Sequence, residues 1–385
     1  MPGAIKKALV AAALGGLAAA ACLACPYNVR ESGFVDLGLE RYFLFCYTDA
    51  HTPPGLLATV KKKAGETLRD SRVVFETVRV DVQDNNPALQ YLEHPETTPL
   101  PALVLVSPAE STMAIPLAGP APLSAEAFDA AFRRIATSPF RQSLIRDLAR
   151  NYGVVLLIEG AAAGANRQAR KAAEAAIEAI NREMQFMPKP IERGPVILTL
   201  EREAFPREKI LLWSLGLDGE QLQETGAAVL YGRARRIGPV LRGEQITKKS
   251  LYNILSVVGA DCECGIDPRW IRGTGIPVRW DRRTQAAVAA GLGFDPENPM
   301  VITEVIQIMR MRTSFYPWAF SSRRPADPPV DELPVPFVED TQPAGSRRPA
   351  GGPVLSMLLY TLAGMAALAI VAAVFLMVRA ARRKS

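Results

Sequence analysis

From Pro353 to Val378 the chain carries no charged residue, and Leu, Ile, Val, Met, Phe and Ala fill most of the stretch. A helix of about 20 apolar residues spans the hydrocarbon core of a bilayer, and a soluble helix of this length without a polar face is improbable. Arg379, Arg382, Arg383 and Lys384 follow at once. Basic residues stay on the cytoplasmic side. The expected arrangement is therefore a single-pass cell-membrane protein with a transmembrane helix at 353–378 and a basic cytoplasmic tail at 379–385. Everything before Pro353 lies outside.

The other end agrees with that orientation. Lys6 and Lys7 precede an uncharged Ala, Leu, Gly and Val run from Ala8 to Ala21. This is the pattern of a secretory signal, placed at 1–24; an uncleaved anchor or a buried apolar helix is the alternative. At roughly 14 residues the run is too short to cross a bilayer comfortably. Ala19-Ala20-Ala21-Cys22 loosely resembles a bacterial lipoprotein box, which makes Cys22 a lipidation candidate. It lacks the aliphatic residue three before the cysteine, and ordinary cleavage between small residues is the simpler reading.

Charge excludes one class of function. The chain has 45 Lys and Arg against 39 Asp and Glu, a formal net charge of +6. Six of the basic residues sit in the two flanks, with no acidic ones beside them, so the remainder is neutral. The basic balance is a targeting feature and predicts no nucleic-acid surface.

Between the flanks the apolar patterning predicts four regions. In the first, 29–146, Arg41–Tyr47 is a strand, and Thr52-Pro53 opens a helix with Thr52 as N-cap, running to Leu68. Val73–Val82 is a second strand, and Asp84-Asn85-Asn86-Pro87 turns into a short helix. Leu103–Val106 is a strand buried on both faces, Met113–Leu117 another, and Ser124 caps a helix carrying Phe128, Phe132 and Ile135.

The second region, 147–259, repeats the pattern more faintly. It has a strand at Val154–Ile158, an amphipathic helix from Asn166 to Met184, a strand at Val196–Leu200 and a helix at Lys209–Leu217. A hairpin from Ala227–Tyr231 and Val240–Leu241 and a Thr247-capped helix to Val258 close it. The third region, 260–316, is a small appendix with Cys262-Glu263-Cys264, Trp270, Trp280 and helices near Arg283–Gly291 and Pro299–Met311. The fourth, 317–352, is rich in Pro, Gly and Ser and reads as an extended stalk.

The order strand–helix–strand–helix–strand–strand–helix resembles the thioredoxin-like superfamily. Val80-Asp81-Val82-Gln83-Asp84-Asn85-Asn86-Pro87 looks like the segment that closes the third thioredoxin strand. Leu100-Pro101-Ala102-Leu103-Val104-Leu105-Val106 looks like the strand headed by the family's cis-proline, and Gly119 through Ser124 to Ile135 like the closing strand and helix. The resemblance covers about a hundred residues. It implies an α/β chain with two tandem thioredoxin-like domains, a cis Pro101, and a groove for extended peptides formed by Ala50, His51, Thr52, Leu100 and Pro101. In the second domain the cis-proline position falls near Gly226, and that mark is missing.

The chemistry the resemblance implies is absent from both domains. Thiol exchange needs a thiolate at a helix N-terminus, where its pKa is lowered, and a resolving thiol three residues on. Ala50-His51-Thr52-Pro53 holds neither, and Ala161–Asn166 has no cysteine. Cys46 lies within a strand and reads as a small buried hydrophobe. Cys262 and Cys264 are the remaining redox candidates. A thiol pair one residue apart fits a structural disulfide, a strained and reducible one, or a partial metal site. The only histidines, His51 and His94, lie in another region and no metal-ligand spacing appears. Asp261 and Glu263 would raise the thiol pKa values.

No phosphate-cradling loop or Ser-His-Asp order stands out, and no cofactor is expected. The expectation is a membrane-tethered, non-catalytic binding or scaffold module in the periplasmic space, with a protein partner in an envelope or membrane complex. The alternatives are a thiol–disulfide oxidoreductase using Cys262 and Cys264, and a structural envelope spacer.

Overall fold

The computed structural model describes residues 26–313, apart from 39, 84, 95–96, 118–122, 188, 190, 261–269 and 271–272. The expected signal, Cys22, Cys262, Cys264, the stalk and the 353–378 segment lie outside the described residues. Among the described residues no helix is long and apolar enough to cross a membrane.

The first sheet contains β1 (Tyr42–Thr48), β2 (Val73–Arg79), β3 (Ala102–Val106) and β4 (Thr112–Ile115) in the order β2-β1-β3-β4. β2 runs parallel to β1, as the intervening helix α2 (Pro54–Thr67; α1 is Val29–Ser32) requires. β3 and β4 return antiparallel. α3 (Ala125–Ala136) closes the domain, its first turn capped by the Ser124 hydroxyl accepting from the Ala127 amide.

α2 and α3 cover one face. Val60, Ala64, Phe128 and Phe132 bury against Tyr42, Leu44 and Cys46. The opposite face buries Phe45, Tyr47 and Val104 under Ala88 of the Pro87–Tyr91 turn and Leu92, which caps it. There the Tyr47 hydroxyl donates to the Ala88 carbonyl at 2.5 Å.

The second sheet has the same order and directions: β5 (Val154–Ile158), β6 (Val196–Leu200), β7 (Gly226–Tyr231) and β8 (Arg235–Arg242), arranged β6-β5-β7-β8. α5 (Ala163–Met184) makes the parallel crossover and α7 (Lys248–Val258) closes the domain, with α4 (Pro139–Arg150) and α6 (Lys209–Ser214) flanking. Each domain thus has a β-α-β half followed by a β-β-α half, and the fold class is mixed α/β with two four-stranded sheets of the same topology.

Several sequence expectations are corrected. The second strand stops at Arg79, not Val82, because the Arg79 guanidinium folds onto Asp81 with bonds of 2.7 and 2.6 Å and turns the chain. The boundary expected between residues 146 and 147 falls inside α4. That helix belongs to the second domain, where Leu144, Ile145 and Leu148 bury against Leu156 and Leu200.

Residues 29–36, expected in the first domain, also complete the second. Val29 and Phe34 enter its two cores, the Arg233 amide donates to the Gly33 carbonyl at 3.0 Å, and Gly33 is small enough to lie under the Tyr231 ring. The appendix is not separate either. Trp270 is buried among Val229, Ile254 and Leu255, and Trp280 among Leu144, Leu230 and Ala234. Its helices α8 (Arg282–Leu292) and α9 (Pro299–Thr313) follow, α8 ending at Gly293 with φ 76°.

Candidate functional site

β1 carries the chain to the end of the first sheet, where the loop Asp49-Ala50-His51-Thr52 leads into α2. Thr52 was expected as the helix N-cap. The structure gives that position to Pro53, with no side-chain cap. The hydroxyl is engaged upstream instead: it accepts from the Asp49 amide at 3.3 Å and donates to Asp49 Oδ1 at 2.9 Å, and the amides of His51 and Thr52 reach the same oxygen at 3.1 Å. Such Asx turns compete with helix capping wherever the carboxylate sits three residues back. The Thr52 hydroxyl, followed by the His51 ring and amide, holds the Asp49 carboxyl below the usual range.

The loop is ordered by its own polar groups. The Arg79 guanidinium, 2.6 Å from Asp81, and more weakly the Ala50 amide hold the Asp81 carboxyl below the usual range. Thr52 is buried, whereas the His51 side chain is 94% exposed and its Nδ1 lies 3.2 Å from Asp49 Oδ2.

Pro101 enters from the adjacent strand. β1 and β3 pair from Phe43 with Val106 to Tyr47 with Ala102, so Pro101 heads β3 at the same end of the sheet as the Asp49–Thr52 loop. The Leu100–Pro101 peptide bond is cis. Leu100 is partly exposed and, among the described residues, takes part in no backbone hydrogen bond. Its N–H and C=O stand between Pro99 and Pro101, neither of which has an N–H of its own. An extended ligand backbone could satisfy both groups.

No thiol serves this loop. Cys46 is fully buried on the α2–α3 face among Val60, Ala64 and Phe132. Burial pushes its thiol up to about 12, the opposite of what a nucleophilic cysteine needs.

The matching corner of the second domain is closed. Asn166, in the first turn of α5, accepts from the Gly160 amide at 2.9 Å and the Thr225 hydroxyl at 2.6 Å, and donates to the Gly160 carbonyl at 3.2 Å. The Ala161 amide donates to the Gln223 carbonyl at 2.8 Å. These bonds pull the loop after β5 onto the segment before β7, where the first domain keeps Leu100 open. Gly226 occupies the position expected for a second cis-proline, and no cis bond occurs there.

A small cleft of about 250 Å³ remains beside Asn166, Arg167 and Arg170. Among the described residues, no group of His, Cys, Asp and Glu could hold a metal ion. Sequence reasoning missed Asp49 as the organiser of the first loop; its signal was the Asp-x-x-Thr spacing.

No family model matches the chain, and no curated protein matches it. Solved structures similar in part include the following two. One is the zinc-bound form of human ERp44, at 10% identity and a TM-score of 0.21, over 61% of this chain and 60% of that one. The other comprises the first two thioredoxin domains of Saccharomyces cerevisiae Eps1p, at 10% identity and 0.21, over 60% of this chain and 97% of that one.

Proposed function

We propose that this chain is a membrane-anchored, extracytoplasmic binding module in which divergent thioredoxin-like domains recognise a partner without exchanging thiols. In this reading the 1–24 signal exports it, the 353–378 helix anchors it, and the 317–352 stalk holds the folded part off the bilayer. The partner is a protein of a neighbouring envelope or membrane complex, and the module is its accessory.

One observation carries the recognition role. Leu100, between Pro99 and the cis Pro101, leaves its backbone groups unpaired among the described residues, beside a loop that has no cysteine. Exposed backbone donors and acceptors at a sheet end are the usual means of holding an extended peptide. Ala50 and the exposed His51 face would supply side-chain contacts, while Asp49 fixes the loop in advance and lowers the entropy lost on binding.

The experiment is thiol trapping of Cys262 and Cys264 in the full chain across a dithiothreitol series. The reading expects a pair that either stays oxidised under strong reductant or never closes. A pair that cycles between about −120 and −270 mV, the range of exchange proteins, with turnover lost in Cys262→Ser, would replace the binding module with an oxidoreductase.

A further inference from the structure

Two strands that hold the same place in the two sheets are treated differently. β8 is the edge of the second sheet, and the appendix covers it. The Arg236 amide donates to the Thr274 carbonyl at 3.1 Å, the Ile276 amide donates to the Ala234 carbonyl at 2.9 Å, and Arg235 bridges antiparallel to Gly275. Gly273 and Gly275 permit this close approach: a Cβ on Gly273 would collide with the Arg236 carbonyl, and one on Gly275 would lie 2.6 Å from the Arg72 guanidinium. β4 is the corresponding edge of the first sheet. Among the described residues no backbone hydrogen bond reaches it from its outer side. It borders instead a cleft of about 1020 Å³, walled across by the Arg202–Arg207 turn and α6.

The cleft has an apolar floor and a basic rim. Met113, Ile210 and Trp213 line it, Trp213 standing 5.9 Å from Tyr42. Arg134, Arg202, Arg207 and Lys209 bring four cations to it, against Asp218 and Glu220. Lys209 is taken up by Glu220 at 2.7 Å. Arg134 and Arg202 donate to the carbonyls of Pro116 and Leu222 at 2.7 and 2.8 Å, bonds that leave their charge uncompensated.

We infer that β4 receives an extended acidic segment of a partner protein, added as a fifth strand, with alternate apolar side chains on Met113 and Trp213 and carboxylates toward Arg134 and Arg207. An unpaired edge strand is a template for such pairing, and the positive rim selects the charge. This site does not use Leu100 or the Asp49–Thr52 loop, so it stands or falls apart from the proposed groove.

The test uses the full chain and a fluorescein-labelled octapeptide alternating glutamate with valine. The inference expects saturable binding that weakens about tenfold or more for a lysine–valine peptide, for alternate N-methylation of the probe backbone, and for Arg207→Glu. Arg207 is exposed, so its replacement leaves the fold intact. Equal binding of the acidic and basic peptides would overturn the charge argument, and binding indifferent to N-methylation would overturn strand addition. The chain has its own acidic stretch, with Asp327, Asp331, Glu332, Glu339 and Asp340. If neutralising those five raised probe affinity about tenfold, the occupant would be that stretch and the partner assignment would be wrong.

Discussion

Arg141 Nε lies 3.3 Å from Glu208 Oε2, and the two side chains are only 1% and 2% exposed. The same guanidinium donates to the carbonyls of Arg134, Ile135 and Thr137, at the end of the first domain, and to that of Pro277 in the appendix. One buried cation thus ties three parts of the chain together. Burial pulls its pKa down and Glu208 pulls it back up. Removing one member of a buried pair strands the other, at about 3–5 kcal/mol. Glu208→Leu should lose that much in urea unfolding, and Arg141→Leu at least as much, because it also orphans carbonyls. A double mutant should cost less than the two singles added. Additive losses would mean the two residues do not act on each other.

Asp36 gives stability a dependence on acid. Burial pushes its carboxyl up, but Arg233, the Gly38 amide, Arg72 and Arg41 outweigh this, and the net shift is downward. A carboxylate with a depressed folded pKa contributes fully above its unfolded value, about 3.9. That contribution fades as pH falls through the lower folded value. Unfolding measured from pH 7 down to pH 2 should therefore show stability dropping below about pH 4. Asp36→Asn should start less stable and fall less steeply; an unchanged slope would remove Asp36 from the account.

Cys46 should be inert while the chain is folded. With the other four cysteines changed to serine, its thiol at about 12 leaves roughly a thousandfold less thiolate at pH 8 than an ordinary cysteine has. Alkylation by iodoacetamide should therefore follow the rate of unfolding. Prompt labelling of the native chain would contradict the burial described for this residue.

Two glycines four residues apart should respond oppositely to alanine. A Cβ on Gly160 would come within 2.6 Å of the Gln223 carbonyl, whereas one on Gly164, in the first turn of α5, meets nothing within 4 Å. Gly160→Ala should destabilise by about 1–3 kcal/mol through overpacking. Gly164→Ala should stabilise by up to about 1 kcal/mol through helix propensity. Thermal unfolding of the two variants checks both signs.

The strands that were legible are those built from continuous apolar runs, such as Val154–Ile158 and Leu103–Val106, because burial on both faces leaves no room for polar residues. β8 was legible only at Val240 and Leu241. Its first residues, Arg235 and Arg236, are charged and carry no apolar strand pattern, yet both are buried. α4 was missed although Ser138-Pro139 is a cap followed by a first-turn proline, and Ser138 does accept from the Arg141 amide at 3.0 Å. What it packs against lies partly in the next strand, at Leu156, and partly far along the chain, at Leu200 and Trp280. The Arg141–Glu208 pair and the Gly33–Tyr231 contact are likewise long-range, and local periodicity carries no trace of either. At the candidate loop, the absence of thiols was plain from the residues. Which side chain Thr52 would bind was not, because Asp49 and the helix N-terminus compete for the same hydroxyl.

Recognition without thiol chemistry is tested most directly by selecting extended peptides against the full chain from a displayed library. Their affinities are then compared for three proteins: the native chain, a His51→Glu/Thr52→Arg variant, and a chain with all five cysteines replaced by serine. The account predicts that the selected peptides bind the cysteine-free chain as tightly as the native one and lose about tenfold or more on the loop variant. Peptides that ignore the loop substitutions, or that need Cys262 and Cys264 to bind, would contradict it.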